Sequence, residues 1–432
     1  MADAFPPDES RKAGKQRGSK SGTVADFRYT RSFQSKKRRS GSNSGAVQAS
    51  ASSGPYASAN LCGEESRVRR SQQTASDKPA NSNRGQPAAA SAHRSNEAYA
   101  ALDLGTNNCR LLIARPSGRD FTVIDAFSRV VKLGEDLATT GRLSDQAMDR
   151  ALSALSVCAD KLRRRNVRLA RSVATEACRR AVNGDAFIER VRRETGIALD
   201  VISAEEEARL AVLGCHILLE QGDGPAVIFD IGGGSTELVL LEPGAKIPRI
   251  LDWQSVPWGV VSLTDTVQRG GSGLDARLDR YARMRSLVEE SFAPFAARVA
   301  KAAACPDIRL LGTSGTVTTL ASLHLELPHY DRKAVDGLIV PAPAMRDISQ
   351  QLAGMSPAER STLPCIGEDR ADLVVAGCAI LESILDLWPA RRLGVADRGI
   401  REGILRSLMA SERQSQRSLK ALQQMRADKP KS

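Results

Sequence analysis

An acid followed by a short loop of small residues occurs twice in this 432-residue chain. The first is DLGTNN, Asp103 to Asn108; the second is DIGGGST, Asp230 to Thr236, 127 residues later. Glycine has no Cβ and adopts positive φ freely, so successive backbone amides in such a loop can converge on an anion. Gly105, Thr106, Asn107 and Asn108 form one candidate phosphate cradle, and Gly232, Gly233, Gly234, Ser235 and Thr236 the other. A side chain in the middle of either loop would take the volume of a phosphate. Asp103 and Asp230 would repel that phosphate unless a cation lay between, which suits them to hold Mg²⁺, with Mn²⁺ as the alternative, directly or through water. A third stretch, GTSGT at Gly312 to Thr316, joins strand to helix, so Ser314, Gly315 and Thr316 lie where a helix N-terminus meets an anion. A lone GGG between strands reads as a tight hairpin. The recurrence of acid and loop in two similar settings favours phosphate binding. GxxxxGK[ST] and GxGxxG are both absent, which argues against a Walker site and a dinucleotide fold.

Such loops need strands to frame them. YAALDLG, NNCRLLIARPSG and DFTVIDAFSRVVKL read as three successive strands. LSDQAMDRALSALSVCADKLRRRN has helical apolar spacing and Ser144 as N-cap; VRLARSVAT is a strand; EACRRAVNGDAFIERVRRETG reads as one helix stopped at Gly196. LDVISA is a strand and EEEARLAVLGCHIL a helix. AVIFDIGGGSTELVLLEPG then repeats strand, acidic turn, strand, which predicts an internal duplication. The second half continues with a helix DARLDRYARMRSLVEESFAPFAARVAKA, the strand IRLLGTSG and the helix TVTTLASLHLEL. A long helix DRADLVVAGCAILESILDLWP stops at Pro389, and the strand RRLGVAD and helix GIREGILRSLM close the folded part. From Glu412 onward six basic and two acidic residues remain, and this tail, 412–432, is expected to fray.

Residues 1–96 are rich in Ser, Ala, Gly and Asn and lack any core-building pattern, so they read as a disordered extension. They hold 17 Lys/Arg against 7 Asp/Glu, a net of +10 in a chain of +12. The folded part is therefore close to neutral, and the basic tail is either a solubilising segment or a contact for anionic polymers. The eight cysteines are scattered with no CxxC pair and read as reduced thiols; Cys109 reads as a small buried residue. His216, His324 and His329 have no metal-ligand spacing. No secretory signal and no run of about 18 apolar residues is present, so a cytoplasmic protein without a membrane span is expected.

ALDLGTNNCRLLIA, ATEACRRA, ISAEEEARL, FDIGGGSTEL, GTSGT and GVADRGIREGIL, in that order, resemble the signature segments of the exopolyphosphatase/guanosine pentaphosphate phosphatase family. The resemblance covers about residues 97–410. It implies an α/β, duplicated actin-like (ribonuclease H-like) two-lobe ATPase fold with mixed sheets flanked by helices and an active site in the interlobe cleft. Lobe I would be 97–224 and lobe II 225–411, with the 371–388 helix a candidate to pack back on lobe I. The resemblance places the catalytic base at Glu207, a phosphate-clamping arginine at Arg179, and a cleft-facing acid at Glu237 that assists the metal or a bridging water. Asp103 and Asp230 would be the cation acids. Glu206, about 100° round the same helix, and Glu205 read as first-turn acids, and Arg180 as a surface charge. The implied reaction is Mg²⁺-assisted attack of water on a terminal phosphoanhydride, with inorganic polyphosphate as leading substrate and guanosine pentaphosphate as the alternative. A noncatalytic polyphosphate or nucleic-acid binder is the reading from a different class. A homodimer is implied by resemblance, as is the short form of the family, without the further C-terminal helical domains of its long members. In the first loop Asn107-Asn108 replaces the family's usual Asn-Ser, which is expected to shift loop contacts. Trp253 and Trp258 read as packing residues rather than a base-stacking pair.

Overall fold

The computed structural model describes residues 97–118, 120–242, 248–268 and 270–427. The expectations for residues 1–96, the anionic-polymer contact included, lie outside the described residues.

β1 (Ala98–Leu104), β2 (Asn108–Ser117) and β3 (Asp120–Val130) form the expected antiparallel meander. β1 is buried along its length apart from Asp103 near its end, the pattern of a strand covered on both faces. α1 (Leu137–Thr140) and α2 (Asp145–Arg164) follow, and Ser144 Oγ accepts from Ala147 N at the start of α2. β4 (Val167–Ala174) returns parallel to β1. The single helix expected over EACRRAVNGDAFIERVRRETG is two helices, α3 (Glu176–Arg180) and α4 (Gly184–Thr195). Asn183 makes the break: its Oδ1 accepts from Leu143 N and its Nδ2 donates to Leu143 O, both at 2.9 Å. α4 does stop at Gly196, whose φ of 74° suits glycine. β5 (Leu199–Val201) pairs with β4, and α5 (Ala204–Cys215) starts from Ser203, whose Oγ accepts from Glu206 N.

The second half repeats the plan. β6 (Ala226–Ile231), β7 (Thr236–Leu241) and β8 (Ile250–Val256) are its meander, followed by α6 (Val260–Thr266), α7 (Leu274–Ala303), β9 (Arg309–Thr313) and α8 (Gly315–His324). Then come α9 (Arg332–Val335), β10 (Ile339–Pro341), α10 (Ala342–Gly354), α11 (Pro357–Ser361), α12 (Glu368–Ala371), α13 (Leu373–Leu387), β11 (Arg392–Ala396) and α14 (Ile400–Ala427). One sheet runs β3-β2-β1-β4-β5 and the other β8-β7-β6-β9-β11-β10. The first five positions correspond one to one, so the duplication predicted from two loops extends through both sheets.

The layers follow from which faces are apolar. α2 and α4 cover one face of the first sheet through Ala151, Leu155, Phe187 and Val191. On its other face Leu210 of α5 and Ile404, Leu405, Leu408 and Met409 of α14 pack on Tyr99, Ala101, Leu112 and Val173. α5 also reaches the second sheet, where Ala208, Val212 and Cys215 meet Ile228, Val239 and Leu311. α7, α10 and α13 cover the far face of that sheet. The helix read over 371–388 is interrupted at Asp372, and α13 is buried in the second core beside α7 and α10 rather than on the first lobe. The segment that returns to the first lobe is α14. Its crossing with α5 is close: a Cβ at Gly214 would strike the carbonyl of Gly399, and one at Gly403 the carbonyl of Leu210. The fraying expected from Glu412 is not found there, because α14 continues to Ala427 and Glu412 is held by Tyr99 Oη and Arg168. No helix among the described residues is long and apolar enough to cross a membrane.

Candidate active site

The β1–β2, β6–β7 and β9–α8 turns open onto one cleft of about 560 Å³. It is lined by Asp103, Gly105, Thr106, Asn107 and Asn108 from the first half, and by Asp230, Gly232, Gly233, Gly234, Ser235, Glu237, Ser314, Gly315 and Thr316 from the second. Glu207, on the first turns of α5, lines it as well. Two expected site residues do not. Thr236 is fully buried and its Oγ1 donates to Trp258 O at 2.6 Å. Arg179 donates to Ile202 O at 2.7 Å and, from both terminal nitrogens, to Glu207 Oε2 at 3.2 Å. The arginine implied as a phosphate clamp is hydrogen-bonded to the candidate base. Glu206 points away to Arg171 and Arg209, and Trp258 packs on the second core with its Nε1 donating to Ser291 Oγ.

The glycines of the second loop answer to a neighbour as much as to a phosphate. A Cβ at Gly233 would lie 2.9 Å from Thr106 Cβ and 3.1 Å from Asn107 N, both in the first loop. One at Gly234 would lie 2.7 Å from Thr106 Oγ1 and inside the carboxylate of Glu176. Thr106 Oγ1 donates to Glu176 Oε2 at 3.2 Å, so a hydrogen-bonded pair from one lobe is seated on the bare backbone of the other. Ser314, by contrast, is a non-glycine residue at φ 129°, ψ 176°, a conformation that costs on the order of 1–3 kcal/mol. Its Oγ accepts from Thr316 N, and the Arg370 guanidinium lies over the same turn, 3.6 Å from where a Gly315 Cβ would be.

Four acids share this space, Glu207 and Glu237 buried and Asp103 and Asp230 half-buried. Burial, and then the charge of Glu237, push the Glu207 carboxyl well above the usual glutamate range, with Arg179 opposing and Asp103 and Asp230 reinforcing. Burial pushes Asp230 up to about 8, with Glu237 and Asp103 adding to the effect and Arg110 opposing it. Burial raises Asp103, against Arg110 and Arg401. Burial also raises Glu237, although its Oε1 accepts from Ser235 Oγ at 2.7 Å and Ser255 Oγ at 2.9 Å. Asp103 Oδ1 and Asn107 Oδ1 are buried without a hydrogen-bond partner. An all-oxygen set with mutually raised acids and an orphaned carboxylate oxygen fits a hard divalent cation. Among the described residues no three acid, histidine or cysteine side chains form a ready-made metal cage.

A model of the Ppx/GppA phosphatase family matches residues 112–412. The chain belongs to that family. Exopolyphosphatase 2 of Mycobacterium tuberculosis is 31% identical over 322 residues, covering 72% of this chain and 98% of that protein. The guanosine-5'-triphosphate,3'-diphosphate pyrophosphatase of Vibrio atlanticus is 29% identical over 342 residues, covering 75% of this chain and 62% of its own length. Among solved structures, an exopolyphosphatase from Cytophaga hutchinsonii matches with a TM-score of 0.65 at 26% identity, covering 73% of this chain and 98% of that one. The Aquifex aeolicus family member matches at 0.60 and 29%, with the same coverage. The two mixed sheets flanked by helices are the actin-like α/β fold of this family.

This Ppx/GppA phosphatase has cleft residues that sequence reasoning did not single out: Glu176, Arg110, Arg370, Arg398 and Arg401. For Arg110 a signal existed. In a hairpin centred on Thr106-Asn107, position 110 lies opposite 103, and the register pairs Asp103 with Arg110 as it pairs Asp230 with Glu237. Arg398 and Arg401 lay within the quoted GVADRGIREGIL segment, but their spacing does not show which faces the cleft.

Proposed function

We propose that this phosphatase is an exopolyphosphatase, releasing orthophosphate from the terminal phosphoanhydride of inorganic polyphosphate by direct attack of water. The observation that carries the reading is the setting of Glu207, 7% exposed, held by Arg179 and facing the acids of both loops. A carboxylate made more basic by burial is suited to accept a proton from water near neutral pH. Arg179 fixes its orientation. The loop amides and the α8 N-terminus would receive the transferring and leaving phosphoryl oxygens, and closure of the two loops would exclude bulk water. Asp103 and Asp230 would hold Mg²⁺, or Mn²⁺ in its place. When bound, that ion would neutralise phosphate charge as a Lewis acid. No cysteine is needed as a nucleophile, since Cys109 is fully buried with its Sγ 3.9 Å from Cys158 Sγ.

The name of the Vibrio atlanticus relative favours a second substrate, the guanosine pentaphosphate, hydrolysed by the same residues. Orthophosphate release from long polyphosphate, tripolyphosphate, guanosine pentaphosphate and ATP, with and without Mg²⁺, separates the readings. Polyphosphate is expected to lead, and Glu207→Gln to lower turnover about 10³-fold while leaving substrate binding intact. A faster rate on the pentaphosphate would reverse the substrate order, and near-native turnover in Glu207→Gln would remove the base.

A further inference from the structure

Arg401 stands in the first turn of α14 and lines the cleft, yet it makes no hydrogen bond or ion pair with any described residue. Its nearest acids are engaged elsewhere. Glu402, 2% exposed, accepts from Gly399 N at 2.9 Å and from Arg332 Nη2 at 3.1 Å. Asp397 pairs with Arg332 Nε at 3.0 Å. Asp103 is in electrostatic reach, but its Oδ1 has no partner either. The start of α14 is wedged against the reacting region: a Cβ at Gly399 would lie 3.4 Å from Thr313 Oγ1 and 3.9 Å from Asp230 Oδ2. Burial lowers the Arg401 pKa, as expected for a desolvated guanidinium without a full countercharge. A half-buried guanidinium that lines the cleft without a hydrogen-bonded acid can be completed by an anion that enters the cleft.

We propose that Arg401 binds phosphoryl oxygens of the substrate, in the place where the sequence motif had implied Arg179. The inference rests on the phosphoanhydride reading of the cleft. Arg179 is occupied with Glu207 and Ile202, whereas Arg401 presents a free planar fork that matches two phosphate oxygens at once. Because α14 packs on the first sheet while Gly399, two residues before Arg401, lies against Asp230 and Thr313 of the second, a phosphate held by Arg401 also joins the position of one lobe to the other.

The test uses the full chain and the variants Arg401→Met and Arg401→Lys. Melting temperature is read with and without tripolyphosphate and Mg²⁺, alongside orthophosphate release. Arg401→Met is expected to melt close to wild type without ligand, since no hydrogen bond or ion pair to a described residue is removed. It should lose most of the tripolyphosphate-induced rise and about 10²-fold in turnover. Arg401→Lys, which keeps charge but not the fork, should melt as wild type and recover only part of the rise and rate. The inference is overturned if Arg401→Met melts lower yet keeps the full ligand-induced rise, or if either variant turns over within about threefold of wild type. Should Arg401→Met not fold, a full ligand-induced rise and rate in Arg401→Lys overturns it equally. A wild-type rise that requires Arg401 without any released orthophosphate would remove the hydrolase reading and leave this one standing. Hydrolysis indifferent to Arg401 would do the reverse.

Discussion

The two acid loops of this Ppx/GppA phosphatase look like copies in sequence, but they do opposite things. In each, a strand-terminal aspartate has a cross-strand partner: Arg110 for Asp103 and Glu237 for Asp230. The first pairing brings a cation toward its acid and the second brings another acid, which is part of why Asp230 rises to about 8. The loops also differ in bulk. DLGTNN carries the side chains, and Thr106 and Asn107 sit against Gly233 and Gly234 of DIGGGST. Duplication supplied two like frames, and divergence made one a knob with a positive neighbour and the other a hollow with excess negative charge.

Erasing the electrostatic difference should have the largest effect. Asp230→Asn is expected to cut turnover about 10³-fold if Asp230 holds the proposed cation, and to alter the pH dependence of stability in a signed way. The native carboxyl is held at about 8 against an ordinary 3.8, so the fold favours its protonated form. Its contribution is complete below about pH 4 and is lost as pH rises through about 8. In chelator, Asp230→Asn should therefore melt above wild type at alkaline pH, with the gap closing on acidification, and Mg²⁺ should rescue wild type alone. A wild-type melting curve with no such gap would remove the buried-acid argument. Filling the hollow comes next. Gly234→Val would drive the Thr106–Glu176 pair off the second loop and should cost about 10² in turnover while changing melting little, because the misfit lies between lobes rather than within a core. Unchanged turnover would mean that the loops need not meet. Trimming the knob should matter least: Thr106→Ala loses one hydrogen bond to Glu176, and a two- to tenfold drop in rate is the expected scale.

Much of the frame was legible in the sequence because it is local. Ser144 and Ser203 cap their helices, Gly196 ends one, and the paired loops announced the duplicated meander. What sequence could not show is decided by contacts between distant residues. Asn183 breaks a helix because Leu143 offers both backbone groups, and although the Asn183-Gly184 pair is a local turn signal, it does not show which distant residue Asn183 meets. Glu412 keeps the last helix intact because Tyr99 and Arg168 await it more than 240 residues upstream. In the site, motif positions gave Glu207 and the loops, but motif order cannot tell an arginine that touches an acid from one left free. The motif implied Arg179 as a phosphate clamp and did not single out Arg401, which lines the cleft.

The crossing of α5 and α14, where Gly214 and Gly403 bring two backbones together, also bears on how the molecule can move. The chain leaves the first lobe after α5 and comes back to it through α14, so two adjacent covalent links join the halves. A body held at two neighbouring points can swing about the line through them but cannot slide or twist freely. Book-like opening about that line is the motion such a pair of links would favour, and it would return Thr106 to the same glycines at each closure.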